Sequence, residues 1–177
     1  MALIECKGWL SQGDVFESVP VPHTEARPAG SISTDWSLGP AVLFNHDCTL
    51  DKHSRGSTNP TIDWLTFLQL FTVSSVERSV AQQMRGVASK LAPYDVMYLG
   101  EVGVYGESFV RIHRPYQVPS SHFSLALRGL DRNGAEVRLH AESNGQRTGK
   151  LTDAQLDLLR QKWIAYWTRL GKPGDLL

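Results

Sequence analysis

The sequence has no surplus charge of either sign. Its 177 residues carry 18 Lys plus Arg against 18 Asp plus Glu, a formal net charge of zero. That balance excludes the broadly basic surface of a general nucleic-acid binder, so a polyanionic partner would have to meet a local patch. Cysteine is scarce. Cys6 and Cys48 alone give no disulfide framework, and reduced thiols in a cytosol are the simpler expectation. Long hydrophobic runs are missing as well. The most apolar stretch, Trp64 to Val73, is interrupted by Thr66, Gln69 and Thr72 and is far too short to span a bilayer. The opening MALIECKGWLSQGD has no basic segment followed by an apolar core, so the expectation is a cytoplasmic chain with no secretory leader and no membrane partner. With 15 Gly and 9 Pro the composition is neither collagen-like nor disordered, and 41% apolar residues can fill one core, giving a single domain over 1–177.

What is present reads as alternating strands and polar loops. Val15 to Pro22 is a short strand whose two prolines mark an edge. From His23 to Gly39 the Pro, Gly, Ser, Thr and charged residues predict a long surface loop. Pro40-Ala41-Val42-Leu43-Phe44 is a continuous apolar run, the pattern of a central strand buried on both faces. It delivers the chain into Asn45-His46-Asp47-Cys48. A polar loop over 50–60 precedes another core strand from Ile62 to Thr72. Ser74 with Glu77 predicts a capping box. Val76, Val80, Met84, Val87 and Leu91 then give an inserted amphipathic helix that Pro93 ends. Tyr94–Glu101 and Ser108–His113 read as strands, with Pro115 and Pro119 closing the second. Asn133-Gly134 predicts a type I′ hairpin turn between 124–130 and 135–140. Thr152 with Gln155, and Leu151 with Leu156, open a terminal helix over 153–170, apolar along Leu156, Leu159, Trp163, Tyr166, Trp167 and Leu170. The total is a mixed β/α (α+β) domain, a small twisted barrel or half-open sheet with one inserted helix and one C-terminal helix.

Reactive side chains crowd at the end of the buried strand: His46, Asp47, Cys48, Asp51 and His53. Cys48 as a nucleophile would need a base beside it, but neighbours in an extended segment point to opposite faces. Zinc would need a tetrahedral set that one Cys and scattered His do not supply, so no metal or cofactor is expected. Acid and base chemistry without a metal suits RNA cleavage, which requires a base for the 2′-hydroxyl, an acid for the leaving oxygen and a cation for the phosphorane. His46 and Asp47 are candidates for the first two roles. The competing reading makes Asn45 and Asp47 turn residues that cap the strand's exit. A second cluster, Arg111-Ile112-His113-Arg114-Pro115-Tyr116, would set cations and an aromatic ring where a phosphate and a base could be held, or form a solvated strand face. Trp9, Trp36 and Trp64 are either stacking platforms or core, and the terminal helix stripe either packs on the sheet or joins two copies in a homodimer.

The order of elements resembles the MazF/PemK-like toxins, small SH3-like barrels that cleave RNA or, in the CcdB branch, poison a topoisomerase. Gln12-Gly13-Asp14-Val15-Phe16 is similar to their opening strand, and Gly39-Pro40-Ala41-Val42-Leu43 to their second. Leu70-Phe71-Thr72-Val73-Ser74, Ser108 to Arg114, and Gly149-Lys150-Leu151-Thr152 resemble later segments of the family. The resemblance implies a metal-independent endoribonuclease acting on single-stranded RNA. His46, Asp47 and Thr72 would be catalytic, with Asn45, His53, Arg114 and Tyr116 contacting substrate. The arginine that usually precedes the second-strand proline is Gly39 here, which leaves Arg27 or Arg111 to supply the cation. It equally implies a non-catalytic module, of phage or mobile-element type, that binds a protein partner such as an antitoxin or host factor through the same barrel.

Overall fold

The computed structural model describes residues 10–26, 31–50, 63–88, 95–123, 125–127, 139–141 and 147–168. Cys6, Trp9, Arg27, His53, Leu91 and Pro93 lie outside them. The fold is α+β. Strands β1 (Asp14–Ala26), β2 (Ile32–Leu43), β3 (Trp64–Thr72), β4 (Val96–Glu101), β5 (Glu107–Pro119) and β8 (Arg147–Lys150) form a six-stranded antiparallel sheet in the order β4-β5-β3-β2-β1-β8. β6 (Leu125–Leu127) and β7 (Leu139–Ala141) pair separately and antiparallel, in the segments expected to pair as a hairpin. The Asn133-Gly134 turn itself lies outside the described residues. Helices are α1 (Asp47–Leu50), α2 (Arg78–Gly86) and α3 (Asp153–Trp167).

The run Ala41-Val42-Leu43 is buried on both faces, as its unbroken apolarity predicts. Ala41 and Leu43 join Phe16, Leu65, Phe67 and Phe123 on one side, where Phe16 meets Phe67 and Phe123 edge-on at 5.6 and 5.5 Å. Val42 joins Val15, Leu68, Val110 and Ile112 on the other, beneath Leu159 and Trp163 of α3. α3 starts where predicted: the Thr152 hydroxyl accepts from the Gln155 backbone N–H and the Gln155 side chain closes the capping box. Gly13, at φ +93°, makes the tight entry to β1, donating to the Leu43 carbonyl and accepting from the Leu151 amide. Among the described residues no strand pairing joins β4 to β8. Gln155 of α3 reaches β4 there, its Nε2 donating to the Leu99 carbonyl at 2.6 Å, and Tyr105 packs against the core cluster that includes Val15 and Leu151.

Three expectations need correction. The expected loop from His23 to Gly39 is strand over residues 23–26 and 32–39. β1 and β2 stay paired from Val15↔Val42 out to Ala26↔Ile32, because Thr24, Ile32, Thr34 and Trp36 are good strand formers that alternate with polar residues. The inserted helix begins at Arg78 rather than Val76. Ser74 sits in a 3₁₀ turn over Val73–Ser75, its hydroxyl donates to Thr72 Oγ1, and the N-cap Glu77 makes no side-chain cap. Finally, Pro115 does not end β5, which runs on to Pro119. The register against β3 jumps from Leu70↔Val110 to Leu68↔Pro115, so residues 111–114 bulge opposite Gln69, and Pro115 needs no ladder N–H there.

α2 is tied to the sheet by Arg85, which pairs with Glu107, while Tyr98 Oη donates to the same carboxylate at 2.7 Å. The Arg85 and Tyr98 hydrogen bonds hold the Glu107 carboxyl down to about 2 from its ordinary 4.5. A depressed folded-state pKa contributes stability that is complete above 4.5 and is lost as the pH falls through about 2. Glu107→Gln is therefore expected to flatten the acid limb of stability, seen as a smaller loss between about pH 5 and pH 3 in urea unfolding.

Candidate functional site

The projecting part of β1 and β2 builds one wall of a cleft. Among the described residues β8 pairs with β1 at Asp14–Phe16 and β3 pairs with β2 at Ala41–Leu43, so beyond Val19↔Gly39 β1 and β2 pair with each other alone and form a ribbon. Strand alternation gives its two faces opposite character. One carries Val21, His23, Glu25, Ser33, Asp35 and Ser37, and His23 Nε2 lies 2.6 Å from Ser37 Oγ. The other carries Pro20, Pro22, Thr24, Ile32, Thr34, Trp36 and Leu38. The polar face overlooks an open cleft of about 550 Å³ lined by Val21 to Glu25, Gln69, Phe71, Arg111 and the segment 114–116.

The opposite wall is the β5 bulge, which turns Arg111 and Arg114 toward the cleft, the usual effect of extra residues in a strand. Arg111 places its guanidinium 5.2 Å from the Phe71 ring centre, and Phe71 stacks on Phe109 at 5.2 Å. Arg114 is oriented by a neighbour: its Nε donates to His113 Nε2 at 3.0 Å. Nε2 then accepts, which leaves the proton of a neutral ring on Nδ1, 3.3 Å from Asp95 but without hydrogen-bond alignment. Tyr116 packs its ring on Phe67 in the main core and burial pushes its phenol pKa up. Its hydroxyl is buried with no hydrogen-bond partner among the described residues, a deficit worth about 1–3 kcal/mol for such a group.

The strand-end cluster has a different character. Asn45 Oδ1 accepts from the Thr66 backbone N–H at 2.6 Å, fastening the exit of β2 to β3. Asp47 Oδ1 accepts from the Gln12 N–H at 2.7 Å, and its Oδ2 lies 3.8 Å from Arg160. Gln12, itself buried, completes the knot, donating to the Phe44 carbonyl at 3.1 Å and accepting from Arg160 Nε at 2.8 Å. Asn45 and Asp47 thus join β2 to β3, to the entry of β1 and to α3. His46 is exposed and its carbonyl accepts from the Leu50 N–H in α1. Thr72 stands at the end of β3, paired with Ser108 and accepting from Ser74.

No protein-family model matches the chain, and no curated protein matches it.

Of the residues singled out from the sequence, Arg111, Arg114 and Tyr116 come together in the cleft, while Asn45, His46, Asp47 and Thr72 do not line it. Among the described residues no group of three or more His, Cys, Asp or Glu is arranged to hold a metal ion. His23, Glu25, Gln69 and Phe71 were missed. The signal that could have found His23 is the two-residue alternation across 19–25 and 32–38, masked by its high content of Pro, Ser and Thr.

Proposed function

We propose that the chain is a metal-independent endoribonuclease of MazF/PemK-like kind, built on a half-open SH3-like barrel and acting on single-stranded RNA in the cleft between ribbon and bulge. The observation that supports this reading is that His23 shares one cleft with Arg111 and Arg114. An imidazole and two guanidiniums supply a base and the cations that RNA transesterification needs. His23 accepts the proton of a 2′-hydroxyl and the 2′-oxygen attacks the adjacent phosphorus. The bond to the 5′-oxygen breaks, that oxygen takes a proton from water, and a 2′,3′-cyclic phosphate remains. Arg111 meets the charge that grows on the phosphorane oxygens, and Arg114 holds the neighbouring phosphate. The base role thereby passes from His46 to His23, and the cation role that Gly39 does not fill passes to Arg111. Such a substrate would set the protein's work in the cytoplasm. Purified protein is expected to cut single-stranded RNA in EDTA and to leave cyclic-phosphate ends. RNA left intact at high protein concentration would sink the proposal.

A second reading, a non-catalytic module that binds an antitoxin or host protein, draws on the outer face of the ribbon. There Ile32, Trp36 and Leu38 are 72, 59 and 67% exposed, an apolar stripe of the sort that marks interaction surfaces. One stoichiometric protein partner, recovered by the wild type and lost with Trp36→Ser, would favour it if RNA stays intact throughout.

A further inference from the structure

Tyr116 carries a hydroxyl that its own surroundings do not use. The ring is anchored, stacked at 30° to Phe67 with centroids 6.2 Å apart, and phenylalanine would fill the same space. Its Oη is nevertheless buried and without a hydrogen-bond partner among the described residues, on a residue that lines the cleft together with Arg111, Arg114 and His23. An unsatisfied buried donor lowers the stability of the free protein, so it persists most readily where a ligand supplies the acceptor. Two guanidiniums on the same cleft indicate the kind of acceptor, an anionic oxygen. Burial raises the phenol's pKa, so the group stays a protonated donor at working pH and does not compete with His23 for protons.

We propose that the Tyr116 hydroxyl forms, with Arg111 and Arg114, a phosphate subsite that donates to a non-bridging oxygen of a bound single-stranded nucleic acid. The identity of the ligand rests on the cleavage reading above. Tyr116 is on this account a binding residue that takes no part in proton transfer. Because the hydroxyl is closed off in the free protein, ligand entry displaces exposed side chains of the lining, such as Arg114 or His23.

The test compares wild type with Tyr116→Phe, using a 2′-O-methyl RNA oligonucleotide that cannot be cleaved. Thermal unfolding without oligonucleotide is expected to be unchanged or shifted upward in the variant, since the lost hydroxyl has no partner to lose. Affinity measured by fluorescence anisotropy is expected to fall about tenfold, the worth of one hydrogen bond to a charged acceptor. Equal affinity of the two proteins overturns the subsite while leaving the cleavage reading intact. A lower melting temperature in the variant also overturns it, because the hydroxyl would then be structural. Failure of the wild type to bind the oligonucleotide removes both readings together.

Discussion

Asp14→Ala is expected to lower folding stability by about 3–5 kcal/mol, the usual consequence of stripping one partner from a buried ion pair. The Asp14 and Arg147 side chains are 1% and 9% exposed, with Arg147 Nη1 3.1 Å from Asp14 Oδ2. The same carboxylate accepts from the Ser11 N–H at 2.9 Å and from Ser11 Oγ at 3.3 Å. Truncation leaves a guanidinium with little access to water facing the place where its counter-charge stood, and it releases the turn that leads into β1. Equilibrium denaturation measures the loss. A change below about 1 kcal/mol would mean that water reaches Arg147 and that the pair is energetically idle. Asp14→Ala combined with Arg147→Met should recover part of the deficit, since the guanidinium that lost this counter-charge is then removed as well.

On the proposed ribonuclease reading, Arg111→Ala is expected to reduce RNA cleavage by about a hundredfold or more, the scale on which removal of one transition-state donor acts. The fold should hardly notice. Arg111 is half-buried, and its guanidinium's contact with the Phe71 face is worth about 0.5–1 kcal/mol. Arg111→Lys keeps the charge but not the planar fork, so it should recover part of the rate. Single-turnover cleavage beside thermal unfolding separates the two effects. Undiminished cleavage by Arg111→Ala would place the chemistry outside this cleft. Loss of rate matched by loss of stability would show only that the bulge had collapsed.

Several parts of this fold were legible because their causes are local. Asn, Thr and Gln side chains closing on nearby backbone explain why the cap at Thr152 and Gln155 could be read directly. The unbroken apolarity of Ala41 to Leu43 reflects burial on both faces, which any residue pattern must satisfy. The ribbon was illegible for the converse reason. From Pro22↔Trp36 outward its described residues join no core cluster, so hydrophobic pattern does not police them, and their polar residues resemble those of a loop. Lys162 was also hidden. On the sequence it interrupts the apolar stripe of α3, yet it is buried and donates to the Val87 carbonyl at 3.1 Å, capping α2 from a distance of 75 residues. Burial lowers its pKa.

The candidate site divides along the same line. The dense cluster at Asn45 to Asp47 stood out as chemistry, but its described bonds are those of a turn that knots three elements together. The cations of the cleft were noticed as residues, whereas their meeting with His23 depends on a bulge in β5 and on a strand pairing made far away along the chain. Neither is encoded by spacing.

The pairing of β1 with β8 carries a consequence for biosynthesis. Asp14 meets Lys150, and the Leu151 amide then donates to the Gly13 carbonyl. The second-from-edge strand of the sheet is thus made first and receives its outer neighbour last. A chain emerging from the ribosome holds Val15 and Phe16 in reach of β2 early, but the covering strand β8 and then α3 arrive only after every other strand of that sheet has emerged. Until then the face that α3 will shield stays open, so the arrival of β8 and α3 converts a partly paired nascent sheet into a covered core.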